Sequence, residues 1–412
     1  MRMLFSMTLS KLMSALRFKG KCGCMGMDHS YIWWTNVTGP QMFIKSVVSS
    51  LSDNYNVRLL LPKLCPWPNR MRELIAEAAQ SEYTLEGVTI DVVTPDDFKN
   101  AQSPVEALLD RYALNDVRLR YRNSLNPAEY LVQNHVLKDR IVWLTGFEPK
   151  DIKTWMGLIC EWPSTTPLDG LFVVEVSYDG GSRDRNEIDP SKWKTISYRD
   201  FIGEYSVSLF NGLLVDEIPS MGFSGSEKRY CASLLSNVCG GDVEASDILS
   251  ENLELMLEDI FGALRSVLDY FDYGGSEAAC DNVLAIAQRA DRSAIDRRVW
   301  KAQVEILFPI LEARRLSVIA KVRDQLFTAL ENSDISQFGE RVCDPEDVEL
   351  GTLVYLMAQT TDDGERLFYI ADRELRNEIH LLRECRNTIA HHKTCEWSQV
   401  KWLLESGEDS AV

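Results

Sequence analysis

Apolar and polar positions follow two different rhythms along this chain, and the change of rhythm divides it. From about residue 28 to 215, short apolar runs alternate with stretches of helical period. Tyr31-Ile32-Trp33-Trp34, Val57 to Leu61, Val88 to Val93, Ile141 to Leu144 and Leu171 to Val176 read as strands. Met42 to Leu51, Asn69 to Gln80, residues 102–114 and 126–136, and Asp151 to Trp162 repeat apolar residues every three or four positions and read as helices. Strands that are apolar almost throughout, separated by helices, predict an α/β domain with a mainly parallel sheet. The polar stretch Asp179 to Lys192, with Gly180 and Gly181, predicts an exposed loop.

After a mixed segment at about 197–240 the strand signal fades. Ile248 to Phe271, Val283 to Ala290, Arg297 to Leu330, Val348 to Gln359, Glu365 to His392 and Ser398 to Leu404 all carry helical periodicity. Pro309 predicts a kink in the longest of these. Asn332 to Asp347, with Gly339 and Pro345, reads as a polar connection, and no repeat of solenoid length is present. The expected organisation is a basic extension (1–24), an α/β domain (25–240), a helical connector (241–290) and an all-α helical-bundle domain (291–412).

A length of 412 residues suits two or three domains. The formal charge of −18 argues against a general nucleic-acid coat or a membrane-surface protein, but leaves room for a small local RNA site. The ten cysteines include no zinc-type spacing, and Cys22-Gly23-Cys24 is a lone pair, so reduced cytoplasmic thiols are expected. No apolar run approaches the roughly 20 residues of a membrane span. Residues 1–24 hold Arg2, Lys11, Arg17, Lys19 and Lys21 and no acid. Leu4, Leu9, Leu12, Leu16 and Phe18 could form an amphipathic targeting or membrane-surface helix; the preferred reading is a loose extension ahead of Met25 and Met27.

Gly39-Pro40-Gln41-Met42-Phe43-Ile44-Lys45-Ser46 sets a Gly, a Lys and a Ser at the offsets of a phosphate loop, after an expected strand and at the start of an expected helix. Ile44 stands where a second glycine belongs, and Leu144-Thr145-Gly146 lacks the acid that would hold magnesium. The segment resembles a degraded Walker A motif of P-loop NTPases. The resemblance implies a P-loop-like α/β fold in which Gly39, Lys45 and Ser46 retain residual nucleotide binding, no cofactor is required, and an active ATPase is the least favoured reading. The competing reading makes Lys45 and Ser46 ordinary polar residues on the first turn of a helix.

Arg386-Asn387-Thr388-Ile389-Ala390-His391-His392 gathers a cation, an amide and imidazoles by local spacing alone. At about 100° per residue, Leu375, Ile379, Leu382 and Ala390 fall within about 40° of Arg386, which puts this cation in the apolar stripe. A cation there must be paired, or must line a cleft or a partner surface. Asn387 and His391 form an i, i+4 pair on the flank.

These residues match the R-N-x-x-x-H form of the R-x4–6-H motif, and roughly residues 291–412 resemble the HEPN superfamily (higher eukaryotes and prokaryotes nucleotide-binding). The resemblance implies a metal-independent endoribonuclease that works as a homodimer. Arg386 would stabilise phosphate charge, Asn387 would orient the site, and His391 would take part in acid–base chemistry at the ribose 2′-hydroxyl. The competing reading pairs Arg386 with an acid inside the bundle and leaves His391 capping the helix end. A degenerate P-loop-like domain joined to a HEPN-like domain resembles components of bacterial antiviral defence and toxin systems. The expected partners are RNA, proteins of a defence complex and a second copy of the chain. The rival expectation is a non-enzymatic assembly subunit of such a complex.

Overall fold

The computed structural model describes residues 28–122, 125–163, 166, 169–178, 189–217, 222–268, 282–333, 335–337, 340–360 and 364–405. The basic extension 1–24 and residues 179–188 of the expected polar loop lie outside the described residues.

Two helices, α1 (His29–Asn36) and α2 (Thr38–Ser52), precede the sheet. The chain then runs through β1 (Asn56–Pro62), α3 (Pro68–Gln80), β2 (Thr89–Val93), α4 (Pro104–Tyr112), α5 (Asn115–Arg120), α6 (Pro127–Gln133) and β3 (Arg140–Leu144). It continues through α7 (Pro149–Cys160), β4 (Leu171–Tyr178), β5 (Trp193–Ser197), α8 (Tyr198–Phe201) and α9 (Glu204–Asp216). The five strands form one parallel sheet in the order β2-β3-β4-β1-β5.

Both faces of the sheet are covered, which is why its strands lack a polar alternation. Val57, Leu59, Leu61, Trp143 and Val173 pack against Trp33, Trp34, Phe43, Met71, Ile75 and Phe210 of α1, α2, α3 and α9. Val142, Leu144, Phe172 and Val174 pack on the other face against α4, α6 and α7, through residues such as Leu108, Leu131, Trp155 and Ile159.

The expected strand at Tyr31 to Trp34 is helical instead. Asp28 caps α1 by accepting the Tyr31 N–H, and Ile32, Trp33 and Trp34 are all buried. Three consecutive buried residues in an eight-residue helix obscure its 3.6-residue period, so the run reads as a strand. The fifth strand escaped the sequence reading for the opposite reason. Only Trp193 and Ile196 of β5 are buried, with exposed Lys194 and Thr195 between them.

The rest of the chain is helical: α10 (Gly225–Cys239), α11 (Val243–Ser250), α12 (Leu253–Glu258), α13 (Ile260–Leu268), α14 (Val283–Gln288), α15 (Arg292–Lys321), α16 (Arg323–Glu331), α17 (Leu350–Ala358), α18 (Arg373–Ala390) and α19 (Trp397–Glu405). Ser336–Gln337 pairs antiparallel with Glu340–Arg341. One apolar core runs through these helices from Val215 to Leu404. It takes in α10, on the near side of the expected boundary at 240, and the 241–290 helices together with the later ones. The long helix expected over 297–330 is divided at Val322, and α15 passes through Pro309 as one helix. Residues 365–372 are not helical; α18 starts where Asp372 accepts the N–H groups of Glu374 and Leu375.

Helix α11 joins the two halves. Val243 lies in the core of the α/β half, and Glu244 accepts the Trp67 N–H just ahead of α3. His29 of α1 donates through Nδ1 to Asp247 (2.5 Å) and through Nε2 to Glu217 (3.2 Å). The bond to Asp247, helped by the nearby Glu217 charge, raises the His29 pKa above its ordinary value. A group whose pKa is raised on folding stabilises the protein fully below its unfolded pKa, about 6.5, and less as pH climbs through the folded value. His29→Gln is therefore expected to cost about 1–3 kcal/mol in urea unfolding at pH 6, with the difference from wild type shrinking above neutrality. A difference that grows with pH would contradict this.

Candidate functional site

Helix α18 buries Leu375, Ile379, Leu382, Cys385 and Ile389 and packs against α15 and α17. That fixes its rotation. At about 100° per residue, His380, Arg383, Glu384, Asn387 and Thr388 must then fall on the side facing away from the core. There, with His391 and Lys393, they line an open depression of about 450 Å³. His380, Arg383, His391 and Lys393 are exposed and Asn387 is half-buried.

The end of α18 is a Schellman turn, in which backbone bonds reverse the chain and satisfy the last carbonyls. The His391 N–H donates to the Asn387 carbonyl (3.0 Å), the His392 N–H to that of Ile389 (3.1 Å) and the Lys393 N–H to that of Thr388 (3.0 Å). His392 takes the left-handed position usually given to glycine, with φ of 58°. Its ring lies against Trp300 at 4.5 Å, and Trp300 Nε1 donates to the Ile389 carbonyl (2.7 Å). This turn separates adjacent imidazoles: His392 packs on Trp300 and His391 lines the depression.

Arg386 takes a different direction. Its Nη2 donates to Glu349 Oε2 (2.9 Å), at the residue capping α17, and its Nη1 makes a long contact with Asn387 Oδ1 (3.4 Å). The two charged side chains are 38% and 40% exposed, so the ion pair contributes only about 0–1 kcal/mol. Arg386 thus sits at the edge of the packed face, where Ala390 is exposed. The depression gathers Asn387 and His391 but not Arg386. It adds His380, Arg383 and Lys393, which the motif reading passed over. The 3- and 4-residue steps from His380 through Arg383, Glu384 and Asn387 to His391 would have disclosed that stripe.

The expected phosphate loop is corrected by the fold. Gly39, Lys45 and Ser46 all lie within α2, which follows a helix and not a strand. A phosphate cradle needs free, convergent N–H groups, whereas Lys45 and Ser46 lie beyond the first turn of α2, where those groups are bonded to carbonyls. A Cβ at Gly39 would collide with the Phe201 carbonyl oxygen and the Ser206 hydroxyl, so this glycine permits close helix packing. Lys45 is exposed, and the Ser46 carbonyl accepts the Ser50 hydroxyl at 2.8 Å.

In open parallel sheets, ligands dock beyond the carboxyl ends of adjacent strands whose connections diverge. Here those strands are β1 and β4: β1 connects outward to β2 and β4 crosses over to β5. Beside it, side chains of β3, β4 and α3 form a bonded cluster. Arg72 of α3 donates to both oxygens of Glu175 (2.7 and 2.8 Å) and to Thr145 Oγ1 (2.9 Å). The Thr145 hydroxyl donates to Glu175 (2.6 Å), as does Trp143 Nε1 (2.7 Å). Pro68 begins α3 and has no N–H, and Glu244 occupies the N–H of Trp67 before it. Burial raises the Glu244 pKa.

No family model matches this chain, and none of the curated proteins matches it. Among solved structures, it is similar to a chain of Drosophila ORC bound to poly(dA/dT) DNA and Cdc6, with 12% identity over 93% of this chain and 71% of that one, at a TM-score of 0.29. It is also similar to a chain of Drosophila ORC bound to GC-rich DNA and Cdc6, with 11% identity over 93% and 74%, at a TM-score of 0.30. Among the described residues, no helix is long and apolar enough to cross a membrane.

Arg72→Ala strands Glu175 at a site where its side chain is 9% exposed, and is expected to cost about 3–5 kcal/mol. Lys45→Ala, on an exposed helix face, should change stability by less than about 0.5 kcal/mol. Urea unfolding of the two variants checks the contrast, and the reverse order would refute this account of the sheet edge.

Proposed function

We propose that this chain is a cytoplasmic, two-part component of a bacterial antiviral-defence or toxin-type system, and that its helical half cleaves RNA without a metal ion when two copies are brought together. The observation that carries the reading is the polar stripe of α18. In a chain of net charge −18, Arg383, Lys393, His380 and His391 converge with Asn387 on one open depression. Cations there would hold a phosphodiester, and an imidazole nitrogen can accept a proton or donate one.

In the proposed reaction, His391 removes the proton of a ribose 2′-hydroxyl and that oxygen attacks the adjacent phosphorus. The bond to the 5′-oxygen breaks, and a second acid returns a proton to the departing oxygen, leaving a 2′,3′-cyclic phosphate. Asn387 orients the sugar or phosphate. Arg386, held to Glu349 by a weak exposed pair, can exchange that partner for phosphate at little cost. A second copy supplies the other wall of the open site and its second set of charges. The α/β half is a regulatory or docking module that does not hydrolyse ATP.

A second reading is an assembly subunit with no catalysis of its own. It is favoured by the Arg386–Glu349 pair and by the bonded cluster beside the strand ends.

Purified protein is expected to cut single-stranded RNA in the presence of a chelator. His391→Ala should lower the rate by at least about 100-fold, the scale of lost acid–base catalysis. His392→Gly, which relieves a left-handed backbone position, should retain the activity. Full cleavage by His391→Ala, or none by the wild type under activating conditions, would exclude the nuclease and leave the assembly reading.

A further inference from the structure

The segment that carries the motif is closed at its two ends by a pair of thiols. Cys385 immediately precedes Arg386, and Cys395 follows the turn that contains His391, His392 and Lys393. Both cysteines are buried and free, at 0% and 6% exposure. Gln303 clamps the backbone of Cys395, accepting its N–H (2.7 Å) and donating to its carbonyl (3.0 Å). The Cys395 thiol reaches back to donate to the Cys385 carbonyl oxygen (3.8 Å), and from that position it can stabilise a Cys385 thiolate. We infer that Cys385 and Cys395 form a reversible disulfide under oxidising conditions, closing the segment that bears Arg386, Asn387 and His391 into a covalent loop.

Cysteines whose residues already touch, as the Cys395 sulfur touches the Cys385 carbonyl, need little rearrangement to join. The bond from Cys395 lowers the Cys385 pKa and raises that of Cys395, which makes Cys385 the first sulfur to react, since the thiolate is the nucleophile. With hydrogen peroxide as oxidant, the Cys385 thiolate attacks one peroxide oxygen and the O–O bond breaks. This gives a sulfenic acid and hydroxide, which takes up a proton as water. The Cys395 sulfur then displaces the sulfenic oxygen as a second water. Two thiols thus lose two electrons and two protons, and one peroxide becomes two waters. The bridge would restrict fraying at the end of α18, because cross-linking removes freedom from the opened chain.

The test uses the full chain, reduced and then exposed to graded hydrogen peroxide, with free thiols alkylated before peptide mapping. The expected result is a linked peptide pairing Cys385 with Cys395, reversed by dithiothreitol, together with a rise in thermal midpoint that Cys395→Ser abolishes. Peroxide that oxidises the exposed Cys160 and Cys343 yet yields no such linked peptide would overturn the inference, and so would scrambled pairing. The linked peptide is read without reference to RNA. An effect of the bridge on RNA cleavage rests in addition on the proposed function, so either idea can fail alone.

Discussion

Burial of one face of α18 decides what the C-terminal half can do. Leu375, Ile379, Leu382, Cys385 and Ile389 enter a core that runs from Val215 to Leu404. Five buried apolar side chains leave the helix no second rotation of comparable energy, since each exposed one would forfeit about 1.5–3 kcal/mol. Every polar group on the helix inherits its direction from that choice. His380, Arg383, Asn387 and His391 are turned outward onto one depression, and Arg386 is left at the edge beside Glu349. The Schellman turn and the His392–Trp300 contact complete the arrangement by separating two adjacent imidazoles.

The α/β half is organised around a different constraint. In its parallel sheet the connections leaving β1 and β4 run in opposite directions, the strand arrangement at whose ends such folds usually take a ligand. Here Arg72, Thr145, Trp143 and Glu175 bond one another beside those ends, and Glu244 reaches in from α11 to occupy the backbone N–H before α3. The same helix holds His29 through Asp247. The Glu244–Trp67 and Asp247–His29 bonds of α11 tie the two halves together. These contacts anchor α11, and through it the helices, to the α/β half.

Much of this was legible in the sequence because burial on two faces writes continuous apolar strands. Val57 to Leu61, Ile141 to Leu144 and Leu171 to Val176 declared a parallel sheet, and the later helices declared themselves by period. The failures have physical causes. Tyr31 to Trp34 hid a helix because three consecutive residues are buried. That error placed a phosphate loop at Gly39, Lys45 and Ser46, whose glycine answers instead to the approach of Phe201 and Ser206. Asn387 and His391, four residues apart, line one depression. Arg386 was assigned by angle alone, and angle does not reveal that Glu349, 37 residues away in sequence, offers it a partner. The Arg72–Glu175 bond joins residues 103 apart, a pairing that local spacing cannot show.

In the proposed function the α18 depression becomes a complete site only when a second copy covers it. The most direct measurement places a short photo-crosslinking side chain at Thr388, on the wall of the depression, and maps the covalent products by mass spectrometry. The account predicts a dimer joined from Thr388 to residues 380–393 of the second copy. Links confined to one chain, or to a surface remote from α18, would contradict it.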